Sequence, residues 1–262
     1  MTFRTLEMTE EGALAVVRLN RPAHYNSLDD TMAEELLAAA RHVHVTPGLR
    51  ALILTGTGNA FCGGGDVKAF VQAGDGVPAF IEKVVTPFHQ FVTQMVRLGK
   101  PTVAAVNGVA AGGGFSLAMT CDLVIAQEGA SFTSAYSRIG ASPDGSMSYF
   151  LPRMIGVRRT LELYLTNRVL SAQEALDWGL ITQVVPAAGL MAEARKVAQA
   201  LAAGPTLAFG RARELIYESL DHSLETQLEL EARGIIASSR TEDFRGATLA
   251  FVEKRKATYS GR

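Results

Sequence analysis

Residues 100–122 read KPTVAAVNGVAAGGGFSLAMTCD, and this stretch decides the fold class. The β-branched and small run Thr102 to Val106 suits a buried strand and stops at the turn dipeptide Asn107-Gly108. Three consecutive glycines, Gly112 to Gly114, then open an apolar helical run. Glycines let backbone approach a ligand closely. The first amides of a helix lack intrahelical partners and carry partial positive charge. Together these features predict a site for an anion, or for a carbonyl oxygen that becomes one.

An earlier stretch repeats the pattern. Leu49 to Leu54 reads as a strand, Thr55 to Asp66 (TGTGNAFCGGGD) as a glycine-rich loop, and Val67 to Gln72 as a helical run. Taken singly, each glycine cluster is a tight strand-to-helix connection. Taken together, they supply two amides that can converge on one oxygen, as an oxyanion hole requires.

The 262 residues fit one large domain, or a domain with a small appendage. A composition of 48% hydrophobic and 19% charged residues provides ample material for a core. The net charge of −1 removes the electrostatic case for general nucleic-acid binding. No apolar run is long enough to span a bilayer, and residues 1–12 do not read as a signal peptide, so a cytoplasmic protein is expected. Cys62 and Cys121 lie outside any CxxC spacing and are expected to be reduced thiols.

Leu14 to Leu19 reads as a strand closed by Arg21-Pro22, and Ser27 or Asp29 caps a helix burying Met32, Leu36, Leu37 and Ala40. A helix is expected from Pro78 to Leu98, and strands at Asp122 to Ala126 and Ser131 to Ser134. Strand–helix alternation continues to about Val185, which indicates a layered α/β arrangement. After Pro186 the sequence changes character: residues 188–203, 205–220, 223–238 and 242–256 are four successive helical patterns. We therefore divide the chain into a core, 1–186, and a helical region, 187–262, expected to serve oligomerisation.

The segments LNRPAHYNSL (19–28), AFCGGGDVK (60–68), residues 100–122, LTNRVLSAQEALDWGLITQVV (165–185) and AFVEKRKA (250–257) resemble the crotonase (enoyl-CoA hydratase/isomerase) superfamily in order and spacing. The resemblance implies an α/β spiral of repeated ββα units with a C-terminal helical trimerisation region. It also implies trimers, often paired into hexamers, acyl-CoA thioester substrates, and no metal or cofactor beyond coenzyme A itself. Carried over by position, the oxyanion-hole amides fall on Gly65 and Gly113. Ala23, His24, Gly63, Asp66, Val67 and Lys68 would shape the coenzyme A side. Lys254 and Lys256, placed on the last helix, would meet its phosphates or else form a solvated face. Phe70, Phe80 and Phe88 are candidates for the acyl pocket.

Hydratases of the family use two glutamates, and here those positions hold Ser116 and Tyr136. A serine hydroxyl is no base near neutral pH, and an unperturbed tyrosine keeps its proton to about pH 10. Efficient hydration is therefore not expected, and Ser116 is assigned to the pocket lining. Tyr136 is expected to donate a hydrogen bond to the acyl group or to Asp144. Asp144 remains as the proton carrier for a double-bond shift; its structural alternative is a helix N-cap.

The segment YSRIGASPDGSMSYFLPR (136–153) is similar to the ring-epoxide/enoyl-CoA isomerase branch of phenylacetate breakdown. MIGVRRTLELYLTNR (154–168) and EALDWGL (174–180) are similar to the 4-chlorobenzoyl-CoA dehalogenase branch, in which the aspartate is a nucleophile and a histidine matches His89. Otherwise His89 is a buried or interface histidine. A serine thioesterase at Gly114-Phe115-Ser116-Leu117-Ala118 lacks the second glycine of its elbow. A weak hydratase or a non-catalytic acyl-CoA binder is the remaining alternative.

Overall fold

The computed structural model describes residues 2–262. Its strands are β1 (Leu6–Glu11), β2 (Leu14–Leu19), β3 (Ala51–Gly56), β4 (Ala60–Cys62), β5 (Thr102–Val106), β6 (Val109–Ala111), β7 (Leu123–Gln127), β8 (Ser131–Thr133), β9 (Val169–Ser171) and β10 (Gln183–Val185). Its helices are α1 (Asp30–Val45), α2 (Val67–Ala73), α3 (Val77–Val96), α4 (Gly113–Met119), α5 (Met147–Thr166), α6 (Ala172–Asp177), α7 (Leu190–Ala202), α8 (Thr206–Glu218), α9 (Leu224–Ser239) and α10 (Glu242–Val252).

Two sheets run through the molecule, a six-stranded one ordered β1-β2-β3-β5-β7-β10 and a four-stranded one ordered β4-β6-β8-β9. The large sheet is parallel except for β1. Its central strands β3 and β5 are buried at every position because both faces are covered. Leu14, Val16, Ile53, Val103 and Ile125 pack against Leu190, Ala194 and Ala198 of α7. Their neighbours in sequence, such as Val17, Leu54, Ala104 and Val124, belong to the main core on the other face.

The winding decides where function can sit. Three times a strand of the large sheet is followed by a short strand of the small sheet and then by helix: β3-β4-α2, β5-β6-α4 and β7-β8-α5. Strands β4, β6 and β8 are adjacent and parallel, so the segments leaving them emerge side by side. Those segments hold Gly63–Gly65, Gly112–Gly113 and residues 134–146. Asn107 ties successive turns of the winding: its side chain donates to Gly58 O (3.0 Å) and Ala60 O (3.2 Å) and accepts from Gly56 N (3.1 Å).

Some expected boundaries move. The strand expected at Leu49–Leu54 runs from Ala51 to Gly56, because its ladder with β2 pairs Leu14 with Ala51 and Leu19 with Gly56. Arg50 at its entry turns its guanidinium to Gly204 O, Thr206 Oγ1 and Tyr259 O. The last helix stops at Val252 rather than 256. Lys254 takes a left-handed φ of 54°, and the chain folds back so that Ser260 N and Gly261 N donate to Asp243. Lys254 and Lys256 are therefore exposed on a tail, not carried on a helix.

Among the helices beyond Val185, α7 covers the large sheet while α9 buries no residue. Leu224, Leu228, Ile235, Ile236, Leu249 and Phe251 are all more than half exposed. Arg213 of α8 anchors this region by donating to Asp122 Oδ1 (2.7 Å) and Met95 O (2.9 Å). Among the described residues no helix is long and apolar enough to cross a membrane.

Candidate active site

The first glycine turn is held by its backbone. Leu28 N donates to Gly64 O (2.7 Å) and Asp66 N to Leu28 O (2.9 Å), two bonds that flank Gly65 and leave its own amide free. Gly113, the first residue of α4, likewise has no intrahelical acceptor for its N–H. Neither amide has a hydrogen-bond partner among the described residues. Gly64, at φ +95°, brings the turns together: a Cβ there would lie 2.7 Å from Ala111 O and 3.4 Å from Gly113 N. Gly65 and Gly113 thus face one cleft of about 530 Å³.

Arg21 braces the first turn. Its guanidinium donates to Ser27 O (2.5 Å) and Asp66 Oδ2 (2.9 Å) and pairs with Asp29 (3.2 Å). Burial raises the Asp66 carboxyl, but the Arg21 bond and the Ala69 amide outweigh it and hold the group below the usual carboxylate range. The Asp66 side chain, placed by the resemblance among the residues shaping the coenzyme A side, serves here as a brace and the cap of α2 and does not line the cleft.

Apolar side chains form most of the cleft wall: Leu28, Val67, Phe70, Ile139 and Pro143, with Ile81, Val84, Val85 and Phe88 of α3. The α3 contribution follows i, i+3, i+4, i+7 spacing, which puts Phe80 one residue off the stripe. Phe80 lies outside the cleft, with its ring edge-on to Phe70 at 6.0 Å. Phe70 and Phe88 do line it.

Asp144 lines the same cleft and is not a helix cap. Helix α5 starts at Met147, with Ser146 at its cap position in a left-handed conformation and no side-chain cap bond. The Asp144 carboxylate instead meets His89, Oδ1 to Nε2 at 2.5 Å. His89, expected buried or at an interface, has a half-exposed side chain paired with this acid. Tyr136 OH and Ser116 Oγ both donate to the backbone carbonyl of Asp144, at 3.0 and 2.8 Å. Ser116 is fully buried and does not line the cleft, because its hydroxyl turns to that carbonyl.

Burial pushes the Tyr136 phenol above its ordinary value, so it keeps its proton and donates. Burial likewise pushes the Cys62 thiol up to about 12, so no thiolate is present beside the glycines at neutral pH. Gly145 is required by a close approach: at φ +59°, a Cβ would collide with Phe88 Cε1 and lie 3.0 Å from Ser116 Cβ.

Of the residues expected to meet coenzyme A, Gly63 and Val67 line the cleft, while Ala23, His24 and Lys68 are exposed beside it. Sequence reasoning missed Arg21 as a brace, and it missed Ile81, Val84 and Val85 as wall. The helical spacing of the last three from Phe88 was the available signal. A second cleft, about 590 Å³ between α3 and α8, is lined by Arg97 and Arg211 together with Glu214, Glu218 and Asp221, and neither Gly65 nor Gly113 reaches it.

Residues 9–262 match the enoyl-CoA hydratase/isomerase family. The chain is 36% identical to 1,2-epoxyphenylacetyl-CoA isomerase of Escherichia coli (strain K12) over 258 residues, 98% of each chain. It is 33% identical over 226 residues to 4-chlorobenzoyl coenzyme A dehalogenase-1 of Arthrobacter sp, covering 86% of this chain and 82% of that one. The crystal structure of an enoyl-CoA hydratase from Bacillus anthracis superposes with a TM-score of 0.92 at 32% identity, over 99% of this chain and 100% of the other. The fold is the crotonase fold, as expected from the sequence.

Proposed function

Because the chain belongs to the enoyl-CoA hydratase/isomerase family, we propose that it shifts a double bond in an enoyl-CoA thioester, with Asp144 as proton carrier. The Asp144 carboxylate takes a proton from the carbon α to the thioester. The electron pair left behind delocalises onto the thioester oxygen, giving a dienolate. The amides of Gly65 and Gly113 donate to that oxygen, each worth about 3–4 kcal/mol at the transition state. The same part-exposed carboxyl, whose proton exchanges with solvent, delivers a proton at the γ carbon, so the double bond moves and nothing is consumed.

The observation that carries this reading is that one carboxylate and two unpartnered glycine amides line the same largely apolar cleft. Neither Ser116 nor Tyr136 offers a second carboxylate to activate water. The coenzyme A moiety would lie along Gly63 and Val67, with Ala23, His24 and Lys68 beside it and Lys254 as a phosphate contact. The reaction as written uses no metal or further cofactor. The buried free thiols of Cys62 and Cys121 support a reducing compartment such as the cytoplasm.

The test is incubation with a β,γ-enoyl-CoA in deuterated water. Conversion to the α,β isomer with deuterium incorporation is expected, with a loss of about 10²–10⁴-fold in Asp144→Asn and acyl-CoA affinity retained. Full activity in that variant would refute the role. The contact between His89 and Asp144 favours a second reading, in which Asp144 attacks an aryl-CoA ring carbon and His89 activates the water that hydrolyses the ester. Absence of both conversion and exchange, with halide release from a halobenzoyl-CoA, would select it.

The exposed apolar faces of α9 and α10 support trimers or hexamers. Sedimentation should give a trimer or a multiple of it; a monomer at micromolar concentration would remove the proposal.

A further inference from the structure

We infer that Ser116 and Tyr136 act together as a hydroxyl clamp that positions Asp144 relative to the Gly113 amide. The inference rests on the reading of Asp144 as proton carrier and adds what holds that carrier in place.

Each hydroxyl owns one proton, and the nearest acceptor of both is the same oxygen. Ser116 Oγ lies 2.8 Å and Tyr136 OH 3.0 Å from the Asp144 carbonyl, with 3.2 Å between the two hydroxyls. The third donor to that oxygen, Met147 N, is longer at 3.3 Å. Neither hydroxyl can donate to a substrate without releasing the carbonyl. Ser116 is wholly buried and cannot meet a substrate at all.

Their origins give the clamp its purpose. Ser116 lies on α4, whose first residue is Gly113. Tyr136 follows β8, the small-sheet strand beside β6. The acid and one oxyanion donor are therefore both referenced to α4, which fixes the span between the proton carrier and the oxygen it serves. The loop needs such a hold. Gly140, Gly145 and Ser146 all have left-handed φ, and α5 begins without a side-chain cap. Tyr164 holds the start of the loop through Ala141 O, but not its acid.

The test is a double-mutant cycle of Ser116→Ala and Tyr136→Phe, measured as kcat on a β,γ-enoyl-CoA and as Kd for a saturated acyl-CoA. Each single change is expected to lower kcat about 2–10-fold, the scale of one hydrogen bond, with Kd unchanged. The double variant is expected to fall further than the product of the singles, because either donor partly holds the carbonyl. Backbone hydrogen exchange over residues 144–147 is expected to accelerate in the same order.

Losses that multiply would overturn the clamp, as would a silent Ser116→Ala beside a Tyr136→Phe as damaging as the pair. The second pattern would put the phenol on the substrate. If Ser116→Ala fails to fold, Ser116→Cys keeps a weak donor of similar size and is expected to show a smaller loss. Hydrogen exchange needs no turnover, so it reads the clamp even if Asp144→Asn shows the proton-carrier reading to be wrong. Unchanged exchange in the double variant would overturn the clamp alone.

Discussion

The glycine turns and the Asp144 loop meet at one cleft but are held by different kinds of structure. Gly65 and Gly113 are placed by main chain: the bridge to Leu28, strands β4 and β6, and the start of α4. Asp144 is placed largely by side-chain tips reaching it from elsewhere, those of Ser116, Tyr136 and His89. Backbone placement tolerates side-chain change, whereas placement by side chains varies with each of them. On the proposed reading, the difference suits a frame that keeps its oxyanion donors while its acid is retuned. The relatives at comparable identity are named for an isomerase and a dehalogenase.

On the glycine side the comparison is broken most severely at Gly113. Gly113→Pro deletes the N–H from a first-turn position where proline is otherwise tolerated, and should lower kcat about 10²–10³-fold. Gly113→Ala keeps the N–H and brings a Cβ to 3.0 Å from Leu28 Cδ1, so steady-state kinetics should show a much smaller loss. Equal losses in both variants would mean that packing, not the amide, matters there.

A smaller effect is expected on the other side of the cleft. Gly145→Ala places a methyl group against the buried Phe88 ring at a left-handed φ, and should cost about 2–4 kcal/mol in denaturant unfolding. The displaced loop should also lower kcat, while the UV shift of a bound conjugated thioester, which reports the glycine amides, should persist.

The mildest test concerns the brace. Asp66 has a folded-state carboxyl held below its unfolded value, so its stabilisation is present above the unfolded pKa and is lost as pH falls through the folded one. Asp66→Asn should lower stability by roughly 1–2 kcal/mol at neutral pH, the scale of a bond to a charged group. Melting temperatures of the two proteins should converge in acid below the ordinary carboxylate range; a constant gap would exclude the ionised Arg21–Asp66 pair as the cause.

Much of this architecture is written in local sequence. The buried strands announce themselves by unbroken apolar runs, and both turns by their glycines. The capping role of Asp29 is realised through Met32 N. Other features exceed what local pattern carries. Strands β4, β6, β9 and β10 have three residues each, too few for any periodicity, yet β4, β6 and β8 line up the site. Strand β1 (LEMTEE) is an antiparallel edge whose glutamates dilute its signal. Phe80 and Ile81 differ by one residue in α3, and only the packed helix decides which faces the cleft. The pairing of His89 with Asp144 spans 55 positions, so an aspartate before Gly-Ser-Met-Ser reads as a cap until the fold supplies the partner.

Asn107 and Gly108 carry a consequence for the durability of the protein. An asparagine followed by glycine is chemically short-lived in flexible chains, because the unhindered glycine nitrogen attacks the side-chain amide carbon and releases ammonia. Here that amide is gripped by Gly56, Gly58 and Ala60, and the Asn107 carbonyl is held by Gln127 Nε2 at 2.8 Å. Closing the succinimide ring would require those bonds to break together. The folded chain therefore shelters its most perishable dipeptide, and deamidation at Asn107 becomes a record of how long a molecule has spent unfolded.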